Sequence, residues 1–433
     1  MKKAELHRTP QDNVKSIALI GGGIASICLI IELFKAKPDL NITLYCKDEK
    51  LGMAASGNKQ GAIYPHLQGS KSPLAEINSR CYKYAKYFYK EVLGLGIEFD
   101  HQWCGVLQQA HTPELELRFE KVASVWPDDA EFIDEYQSSL FAGMETPFPS
   151  LWYKDGGWLA PFQLCESASE TLPQKFALKI INNAHIKEVK KQGKNWRLVG
   201  SDQSIEETVD VVCICSGFSS NEFTPTSDLP LEPIRGQVSR FHSSTIMSSL
   251  KTVLCHKGYI TPAQSQYQCF GATFDKGNKT QQIKKEDESA NFEQLEQMYA
   301  SMSWSKDLAR EDIIGNKAGV RANSPDHLPI AGPVYPNDWV KNNVDQNNGL
   351  LKRKGKLPFK DDQGEPCYQK NAYQGIYTLT GLGARGLTTA PLLAKHVTEQ
   401  ILDLPATLSD RLVCAISPLR YQIRELKRNK ASR

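Results

Sequence analysis

The chain has 433 residues, and its 52 Lys and Arg side chains against 49 Asp and Glu give a formal net charge of +3 at pH 7. A chain of this length buries a large core and predicts two or more structural domains. The charge is too close to neutral to indicate a nucleic-acid partner on its own, and a hydrophobic content of 40% is typical of globular proteins.

Two features of the composition exclude classes of protein. Eleven cysteines are scattered through apolar segments without a C-x-x-C pair, which predicts reduced core thiols in a cytoplasmic protein and no metal site. The uncharged run at 16–31 is shorter than the ~20 residues of a membrane span, and glycines interrupt it. We therefore expect neither a membrane segment nor a signal peptide.

The N-terminal segment, SIALIGGGIASICLIIELFKAKPDLNITLYC at 16–46, has the pattern of a βαβ unit. Its periodicity predicts a strand at 17–20, a helix at about 24–36 and a second strand at 42–45. A glycine turn between a strand and a helix is how a dinucleotide-binding unit begins.

The glycine turn carries the chemistry of this unit. Gly21 permits a tight turn, and Gly23 lets the backbone approach a pyrophosphate held at the helix N-terminus. Ser26 stands where G-x-G-x-x-G has its third glycine. That glycine serves helix–strand packing, so a small serine leaves the phosphate contact intact.

Cys46 is the larger departure from the dinucleotide pattern. It ends the second strand, where a carboxylate that accepts both ribose hydroxyls is expected. A thiol is a weaker acceptor, so Lys47, Asp48, Glu49, a backbone group or water can supply the contact instead. A simple packing role for Cys46 is the alternative, and the sequence does not choose between them.

Further elements follow in chain order. A glycine- and serine-rich loop at 51–67 precedes a helical pattern at 75–93, in which aromatic residues recur on one face. Short apolar strands alternating with polar turns are expected from about 95 to 165. Strands are predicted at 196–200 and 209–217, and the second is apolar enough to lie inside a parallel sheet.

The second half of the chain is expected to begin with strands at 232–275. A helix rich in Glu and Gln is predicted at about 287–309, and residues 336 to about 370 read as a surface insertion. A strand, a glycine-rich turn, a helix from about 389 to 402 and a basic tail close the chain.

These elements predict an α/β protein with a discontinuous architecture. We expect an FAD-binding Rossmann-like domain of the glutathione-reductase type, with a mostly antiparallel α+β substrate domain inserted in it. The predicted FAD-binding domain comprises residues 1–80, 150–222 and 320–433, and the predicted substrate domain comprises 81–149 and 223–319.

The choice of FAD over a nicotinamide cofactor depends on the C-terminal segment TLTGLGARGLTTAP. It places Gly381, Gly383 and Gly386 between a strand and a helix, where backbone N–H groups and the positive helix end can stabilise charge on a reduced flavin. A nicotinamide dehydrogenase usually completes a second mononucleotide half soon after the first, which this chain does not.

The segment GVRANSPDHLPIAGP at 319–333 supplies a candidate substrate anchor. Arg321 can bind a carboxylate through its two-pronged guanidinium, and Tyr259 in GYITP is a second carboxylate contact. The alternatives are an ion pair of Arg321 with Asp326 and core packing of the tyrosine. His256 and His327 can each be a general base or a loop residue, and neither role is assigned.

These motifs together resemble the FAD-dependent D-amino-acid oxidase superfamily, which includes glycine and sarcosine oxidases. IALIGGGIAS, AASGNKQGAIYP, PIRGQV, GYITP, GVRANSPDHLPIAG and GLGARGL carry the resemblance. SGNKQGAIYPHL, FDHQWCGVLQ, DHLPIAG and GLGARGLTTAPL look more specifically like the C-terminal oxidoreductase domain of the MnmC family, which modifies the tRNA wobble uridine.

The resemblance implies an activity and a set of cofactor-binding residues. The activity is oxidation of 5-carboxymethylaminomethyl-(2-thio)uridine in tRNA to the 5-aminomethyl form, with release of glyoxylate, by non-covalently bound FAD. Arg321 and Tyr259 would hold the substrate. The residues expected to contact FAD are Gly21, Gly22, Gly23, Ile24, Ala25, Ser26, Ala55, Ser56, Gly57, Asn58, Gln60, Gly61, Ser216, Gly217, Gly381, Leu382, Gly383, Ala384, Arg385, Gly386 and Leu387.

The resemblance also implies partners. Members of this family carry a SAM-dependent methyltransferase domain before the oxidoreductase, whereas about fifteen residues precede the first strand here, so methylation would need a separate methyltransferase. A tRNA partner is expected, and six Lys and Arg at 419–433 fit it, although a disordered solubilising tail is the simpler interpretation.

Three other functions remain open from the sequence. The first is an oxidase of a small free amine such as glycine or sarcosine. The second is a flavin- or RNA-binding protein without turnover, in which Ser26 and Cys46 mark decay of the site. A nicotinamide dehydrogenase ranks last.

Overall fold

The computed structural model describes residues 14–201, 205–244, 247–337, 340 and 373–431. Its strands span Ser16–Ile20, Asn41–Tyr45, Gly61–Ile63, His101–Gln102, Val106–Gln109, Glu131–Ile133, Ser150–Tyr153, Gly157–Leu159, Leu178–Ile181, Ile186–Gln192, Asn195–Gly200, Glu206–Val209, Val211–Ile214, Glu232–His242, Val253–Cys255, Tyr259–Ile260, Tyr267–Gly271, Asp275–Lys276, Ile313–Asn323, Ile330–Pro333 and Ile376–Thr380. Its α-helices span Ile24–Ala36, Pro73–Gly94, Pro113–Val125, Glu135–Ala142, Pro161–Lys175, Lys285–Met298, Gly386–Ile401, Asp410–Ile416 and Leu419–Ala431.

A six-stranded sheet forms the first layer. Its strand order is Ile330–Pro333, Ile376–Thr380, Val211–Ile214, Ser16–Ile20, Asn41–Tyr45 and Leu178–Ile181. All neighbours are parallel except the first pair. The strand Val211–Ile214 is buried along its whole length, which confirms the prediction of an apolar strand inside a parallel sheet, although it is shorter than the predicted 209–217.

The first helix, Ile24–Ala36, has the predicted bounds. Eleven of its thirteen residues are buried, because sheet and helices enclose it on almost every side. It ends before Pro38, whose ring disfavours helical backbone at Lys37. The helices Pro73–Gly94 and Gly386–Ile401 contribute to the same hydrophobic core, and the aromatic face predicted on the first of these is buried there.

A larger sheet forms the second layer, and its pairs are antiparallel except for Val253–Cys255 with Val106–Gln109. In this sheet the long strand Glu232–His242 pairs with Ile313–Asn323, so that Ile234 lies opposite Arg321. Tyr259 lies opposite Gly271 on the adjacent strand, and its own strand is two strands away from Glu232–His242. The two predicted substrate contacts therefore belong to one sheet.

The structure bears on the predicted domain boundaries at one point. The helix Pro73–Gly94 continues across the predicted boundary at residue 80, and its Phe88 and Tyr89 lie in the core beneath the six-stranded sheet. The division of the chain into two domains remains a prediction.

Several predicted elements were wrong in their bounds or kind. The region from 95 to 165 was expected to contain strands and turns, but it also holds the helices Pro113–Val125, Glu135–Ala142 and the start of Pro161–Lys175. Thr112 and Asp134 cap the first two by accepting backbone N–H bonds. These capping residues, with Pro113 at the first helical position, are the signal that marks the helix starts.

The helix predicted at 287–309 ends at Met298. Two 3-10 turns follow, and Trp304 packs against Tyr299 with ring centroids 4.9 Å apart. Packing beneath the large sheet therefore overrides helical propensity at this end. Most of the insertion predicted at 336–370 lies outside the described residues.

The helix predicted to start at about 389 begins at Gly386, so the glycine-rich turn before it is shorter than expected. The basic tail is helical over Leu419–Ala431, which makes the interpretation as a disordered tail wrong. No described helix combines the length and the hydropathy needed to cross a membrane.

Candidate active site

A cavity of about 800 Å³ lies between the two large sheets. Its wall includes the carboxyl ends of three parallel strands, at Ile20, Cys215 and Leu379. Ligands of open α/β sheets bind at this edge. The predicted residues on the wall are Gly21, Gly22, Gly23, Ile24, Ala25, Ala55, Ser56, Asn58, Gly61, Ser216, Gly217, Tyr259, Arg321, Gly381, Leu382, Gly383, Ala384, Arg385, Gly386 and Leu387.

The N-terminal glycine turn has no room for side chains. Gly21 has a φ of +121°, and a Cβ there would lie 2.5 Å from the carbonyl oxygen of Cys215. The helix that follows has no side-chain cap and no acidic residue in its first turn. The positive end of this helix is therefore available to a pyrophosphate in the cavity.

Ser26 does not line the cavity. It is buried, and its hydroxyl donates a hydrogen bond to the carbonyl oxygen of Gly21. The side chain thus closes the turn from behind, in the place where other sequences have a third glycine. Ser56, on the neighbouring loop, accepts a 3.0 Å bond from the backbone N–H of Ile24 and ties that loop to the start of the helix.

Two predicted residues of the 55–61 loop also lie off the cavity. Gly57 packs against Lys317, whose Nζ donates to the carbonyl oxygen of Met53 at 2.7 Å. Gln60 is buried, and its side chain bonds to the large sheet: Nε2 donates to the carbonyl of Pro262 at 3.0 Å, and Oε1 accepts from Thr261 at 2.7 Å. These residues fix the loop against the large sheet.

Cys46 has a packing role. It is 1% exposed, burial raises the pKa of its thiol, and it lies against Gly22, where a Cβ would collide with its Sγ. Lys47 and Asp48 line the cavity, whereas Glu49 does not. Of the ribose contacts that the sequence left open, the structure brings only these two side chains to the cavity.

The C-terminal glycine loop faces the same cavity. Gly381 and Gly383 have φ values of +67° and +56°, in the region that favours glycine. The helix Gly386–Ile401 begins there without a side-chain cap or an acidic residue in its first turn. A second positive helix end thus points at the cavity.

Arg385 contributes to the wall through Tyr64, a residue that the sequence analysis did not single out. Its guanidinium lies 3.9 Å from the Tyr64 ring centroid and donates to the Tyr64 carbonyl oxygen at 3.2 Å. Burial raises the pKa of the Tyr64 hydroxyl to about 12, so it stays protonated. Tyr64 belongs to the QGAIYP segment, and its place in that motif was the sequence signal that could have identified it.

Arg321 lies on the cavity wall with its guanidinium against Gly236. Burial lowers its pKa from the ordinary value, yet arginine stays charged in proteins. It forms no hydrogen bond or ion pair with any residue that the structure describes. A partly buried cation of this kind needs a partner, and a carboxylate in the cavity would supply one.

The alternative ion pair of Arg321 with Asp326 is wrong. Asp326 instead accepts hydrogen bonds from Arg420 at 3.0 and 3.1 Å and from Arg424 at 2.6 Å. Tyr421 donates a further bond at 2.7 Å. The carboxylate is thus held by the C-terminal helix.

Tyr259 lies near Arg321 on the same wall. Its hydroxyl donates to the carbonyl oxygen of Gln60 at 3.1 Å, and burial raises its pKa well above the ordinary value. The hydroxyl oxygen can still accept a bond, and the group can turn to donate to a substrate. Its ring also packs against a hydrophobic core cluster, so Tyr259 both lines the cavity and packs.

The two histidines differ. His256 lines the cavity, burial lowers its pKa to about 4, and its Nδ1 accepts from the Gly258 N–H at 3.1 Å. It is therefore neutral at pH 7. His327 has a φ of +58° in a turn and does not line the cavity, which makes it a loop residue.

The residues present fit FAD. The cavity is long enough to reach from Lys47 and Asp48, past the first glycine turn, to the wall formed by Tyr259 and Arg321. The turn at 21–25 would hold the pyrophosphate, and the loops at 55–58 and 381–387 would border the flavin. Two helix starts without acidic residues in their first turns suit the anionic parts of this cofactor.

Comparison with known proteins gives the same cofactor. The family described as FAD dependent oxidoreductase (DAO) matches residues 16–400. The tRNA 5-methylaminomethyl-2-thiouridine biosynthesis bifunctional protein MnmC of Pseudoalteromonas translucida is 38% identical over 420 residues, which are 96% of this chain and 60% of that protein. The protein of the same name in Shewanella frigidimarina is 30% identical over 97% of this chain and 60% of its own length.

Solved structures show the same fold at low identity. Glycine oxidase from Geobacillus kaustophilus has a TM-score of 0.73 at 14% identity and covers 93% of this chain and 97% of its own. Iminodiacetate oxidase from Chelativorans has a TM-score of 0.70 at 16% identity, with coverage of 93% and 98%. The chain spans about 60% of the length of the MnmC relatives it matches. From its match over residues 16–400, the chain belongs to the FAD-dependent oxidoreductase (DAO) family.

Proposed function

We propose that this chain oxidises the N-substituted glycine group of 5-carboxymethylaminomethyl-(2-thio)uridine at the wobble position of tRNA. The products are the 5-aminomethyl-(2-thio)uridine and glyoxylate. The observation that carries the proposal is the partly buried Arg321 on the cavity wall, which has no ion-pair partner among the described residues. The similarity to the MnmC proteins over 96% of the chain supports the tRNA substrate.

The proposed substrate ends in a carboxylate one carbon from a secondary amine. Arg321 would bind that carboxylate through two parallel N–H donors, and Tyr259 would add a hydrogen bond. Both side chains belong to one sheet, so their relative position is fixed before the substrate arrives. Such positioning is worth ~7–11 kcal/mol of the barrier in favourable cases.

Bound FAD would supply the two-electron acceptor for the hydride of the glycine C–H bond. The substrate nitrogen forms the C=N bond of an imine, and water adds to its carbon to release glyoxylate and the primary amine. The residues of the chain bind and orient the carboxylate.

The amine must lose its proton before oxidation, and the described wall near Arg321 offers no ionised base. Burial lowers the pKa of His256 to about 4, and its nitrogen lone pair already accepts from Gly258. Burial also raises the pKa values of Tyr259 and Tyr64. Desolvation and the nearby cation Arg321 therefore favour the neutral amine.

FAD is proposed to be held without a covalent bond. Cys215 and Cys255 line the cavity, but burial raises the pKa of Cys215 to about 12 and that of Cys255 to about 11. A protonated thiol is a poor nucleophile, and the loop at 381–387 has no cysteine. Acid precipitation should release all of the flavin into the supernatant.

The proposed partners follow from the reaction. tRNA is the substrate, and methylation of the amino product would require a SAM-dependent methyltransferase acting on the same nucleotide. A cytoplasmic location is proposed because this is where tRNA and reduced thiols occur together.

The test is the visible spectrum of the FAD-loaded protein without oxygen, before and after addition of tRNA bearing the carboxymethylaminomethyl group. Loss of absorbance near ~450 nm with this tRNA, but not with glycine or sarcosine, is expected. Bleaching by the free amines alone would establish a small-amine oxidase instead. FAD binding without bleaching by any of them would indicate a protein without turnover.

A further inference from the structure

One exposed aromatic side chain lies on the cavity wall beside the proposed carboxylate anchor. Phe274 is 57% exposed and lines the same cavity as Arg321 and Tyr259. A single exposed apolar side chain needs no explanation by itself. A phenyl ring that is both exposed and part of a cavity wall instead offers a surface for a flat ligand.

The backbone places this ring close to Arg321. Thr273, the residue before Phe274, pairs with Gln237: its backbone N–H donates to the Gln237 carbonyl at 3.2 Å, and its Oγ1 accepts from the Gln237 N–H at 3.0 Å. A Cβ on Gly236 would lie 2.6 Å from Nη2 of Arg321 and 2.8 Å from the Thr273 carbonyl oxygen. The guanidinium and the backbone that carries Phe274 thus flank one glycine.

The segment after Phe274 is tied to the large sheet. Asn278 donates to Asp275 at 2.7 Å and accepts from the Thr280 N–H at 2.9 Å, which closes a turn. Further along, the Lys284 N–H donates to Oε1 of Gln237 at 2.9 Å, and Nε2 of Gln237 donates to the Lys284 carbonyl at 2.8 Å. The backbone on both sides of Phe274 is therefore held in place without a ligand, which lowers the entropy lost on binding.

Two cations line the same cavity as the ring. Lys257 and Lys279 are exposed on its wall and form no ion pair with a described residue. An aromatic ring and lysines on one wall are the groups that bind an unstacked base together with its backbone phosphates. A free amino acid would use neither feature.

We propose that Phe274 is the residue that stacks on the uracil ring of the wobble nucleotide, with Lys257 and Lys279 contacting the phosphates beside it. This inference rests on the proposed function and makes it more specific. Arg321 would hold the carboxylate end of the modification, and the short chain from that carboxylate to the base would place the base against Phe274. Phe274 then determines specificity for a polynucleotide over a free N-substituted glycine.

The experiment follows flavin reduction in the FAD-loaded protein without oxygen, with an anticodon stem-loop RNA that carries the carboxymethylaminomethyl uridine. The variants are Phe274→Ala, Phe274→Trp and Tyr136→Ala. Tyr136 is 77% exposed and lies away from the cavity, so it is the matched control for loss of an exposed aromatic ring.

F274A should raise the dissociation constant of the RNA about 5- to 150-fold, the range of ~1–3 kcal/mol for loss of one stacked base. We expect the reduction rate at saturating RNA and the FAD content to stay within about twofold of wild type. The melting temperature should stay within a few degrees of it. F274W should restore binding, and Y136A should behave as wild type. A merely structural residue would not give this split between affinity and rate.

Two outcomes would overturn the inference, and they are distinguishable. If the RNA bleaches the wild-type flavin and F274A binds it as tightly as wild type, the stacking role alone is wrong. If the RNA never bleaches the wild-type flavin while sarcosine does, the proposed function is wrong and the stacking role with it. A double K257A/K279A variant gives a second test. The slope of log Kd against the logarithm of the salt concentration should fall by ~0.7 for each lysine removed.

Discussion

Asp326 and Arg420 form a two-point ion pair, with Nε–Oδ2 and Nη2–Oδ1 distances of 3.0 and 3.1 Å, across 94 positions of sequence. The pair fixes the C-terminal helix to the turn that follows the Arg321 strand. It also removes the acidic side chain that the sequence offers as a partner for Arg321. The candidate anchor is therefore left free for a substrate.

The Asp326 pair should contribute to stability in a pH-dependent way. Burial opposes ionisation of Asp326, but hydrogen bonds and charge from Arg420 outweigh it and hold the pKa well below the ordinary value. The contribution is then fully present above the unfolded pKa of ~3.9 and is lost as pH falls below it.

Asp326→Asn should lower the free energy of unfolding by ~2–4 kcal/mol at pH 7, because it leaves Arg420 buried without its charged partner. The difference from wild type, measured by urea denaturation, should shrink as pH falls from 5 toward 3. Glu293→Gln, which breaks an exposed pair with Arg310, should cost less than about 1 kcal/mol. A difference in unfolding free energy between wild type and D326N that stays constant over this pH range would contradict a lowered pKa of Asp326.

Arg321→Ala should abolish carboxylate binding while the protein still folds and binds FAD. Loss of a charge-assisted contact predicts a fall in kcat/KM with the modified RNA of about 30- to 1000-fold, or ~2–4 kcal/mol. Arg321→Lys keeps the charge but not the two-pronged donor, so it should recover only part of the loss.

The melting temperature separates a binding role of Arg321 from a structural one. Because the guanidinium is partly buried without an ion-pair partner among the described residues, Arg321→Met should leave the melting temperature unchanged or raise it. Arg310→Ala, at an exposed arginine, is the matched control and should leave kcat/KM unchanged. A large loss of stability in R321M would indicate a structural role.

Gly21→Ala should prevent FAD binding. The φ of +121° disfavours any side chain, and the added Cβ would meet the Cys215 carbonyl oxygen at 2.5 Å. We expect protein with little absorbance at about 450 nm and an FAD dissociation constant at least about fivefold higher, from ~1–3 kcal/mol of strain. Gly94→Ala, where a Cβ has nothing within 4 Å, should bind FAD normally; equal affinity in both variants would exclude the turn as the pyrophosphate site.

The ribose contact should depend on Asp48 rather than on Cys46. Asp48 lines the cavity and Cys46 lies behind the glycine turn. Asp48→Asn should weaken FAD about 5- to 20-fold, since a hydrogen bond to a charged group is worth ~1.5–3 kcal/mol and water replaces part of it. Cys46→Ser should change FAD affinity less than threefold, as measured by fluorescence titration. A larger loss of FAD affinity in Cys46→Ser than in Asp48→Asn would indicate that Cys46 makes the ribose contact.

Local sequence was enough for the first βαβ unit. The helix Ile24–Ala36 has the predicted bounds, because the glycines before it and Pro38 after it limit the backbone directly. The helix Lys285–Met298 was predicted too long, since the packing of Trp304 on Tyr299 beyond its end is a tertiary contact. Helices whose only local mark is a cap, as at Thr112, were missed.

The sequence by itself determined that the chain has two glycine turns, each between a strand and a helix, and an arginine placed to reach a cleft. These features depend on residues close together in the chain, where backbone limits act locally. Only the tertiary structure decided that Asp326 pairs with Arg420, that Cys46 packs behind Gly22, and that Phe274 joins the cavity wall. Each of these depends on side-chain contacts between separate elements, which local backbone preferences do not determine.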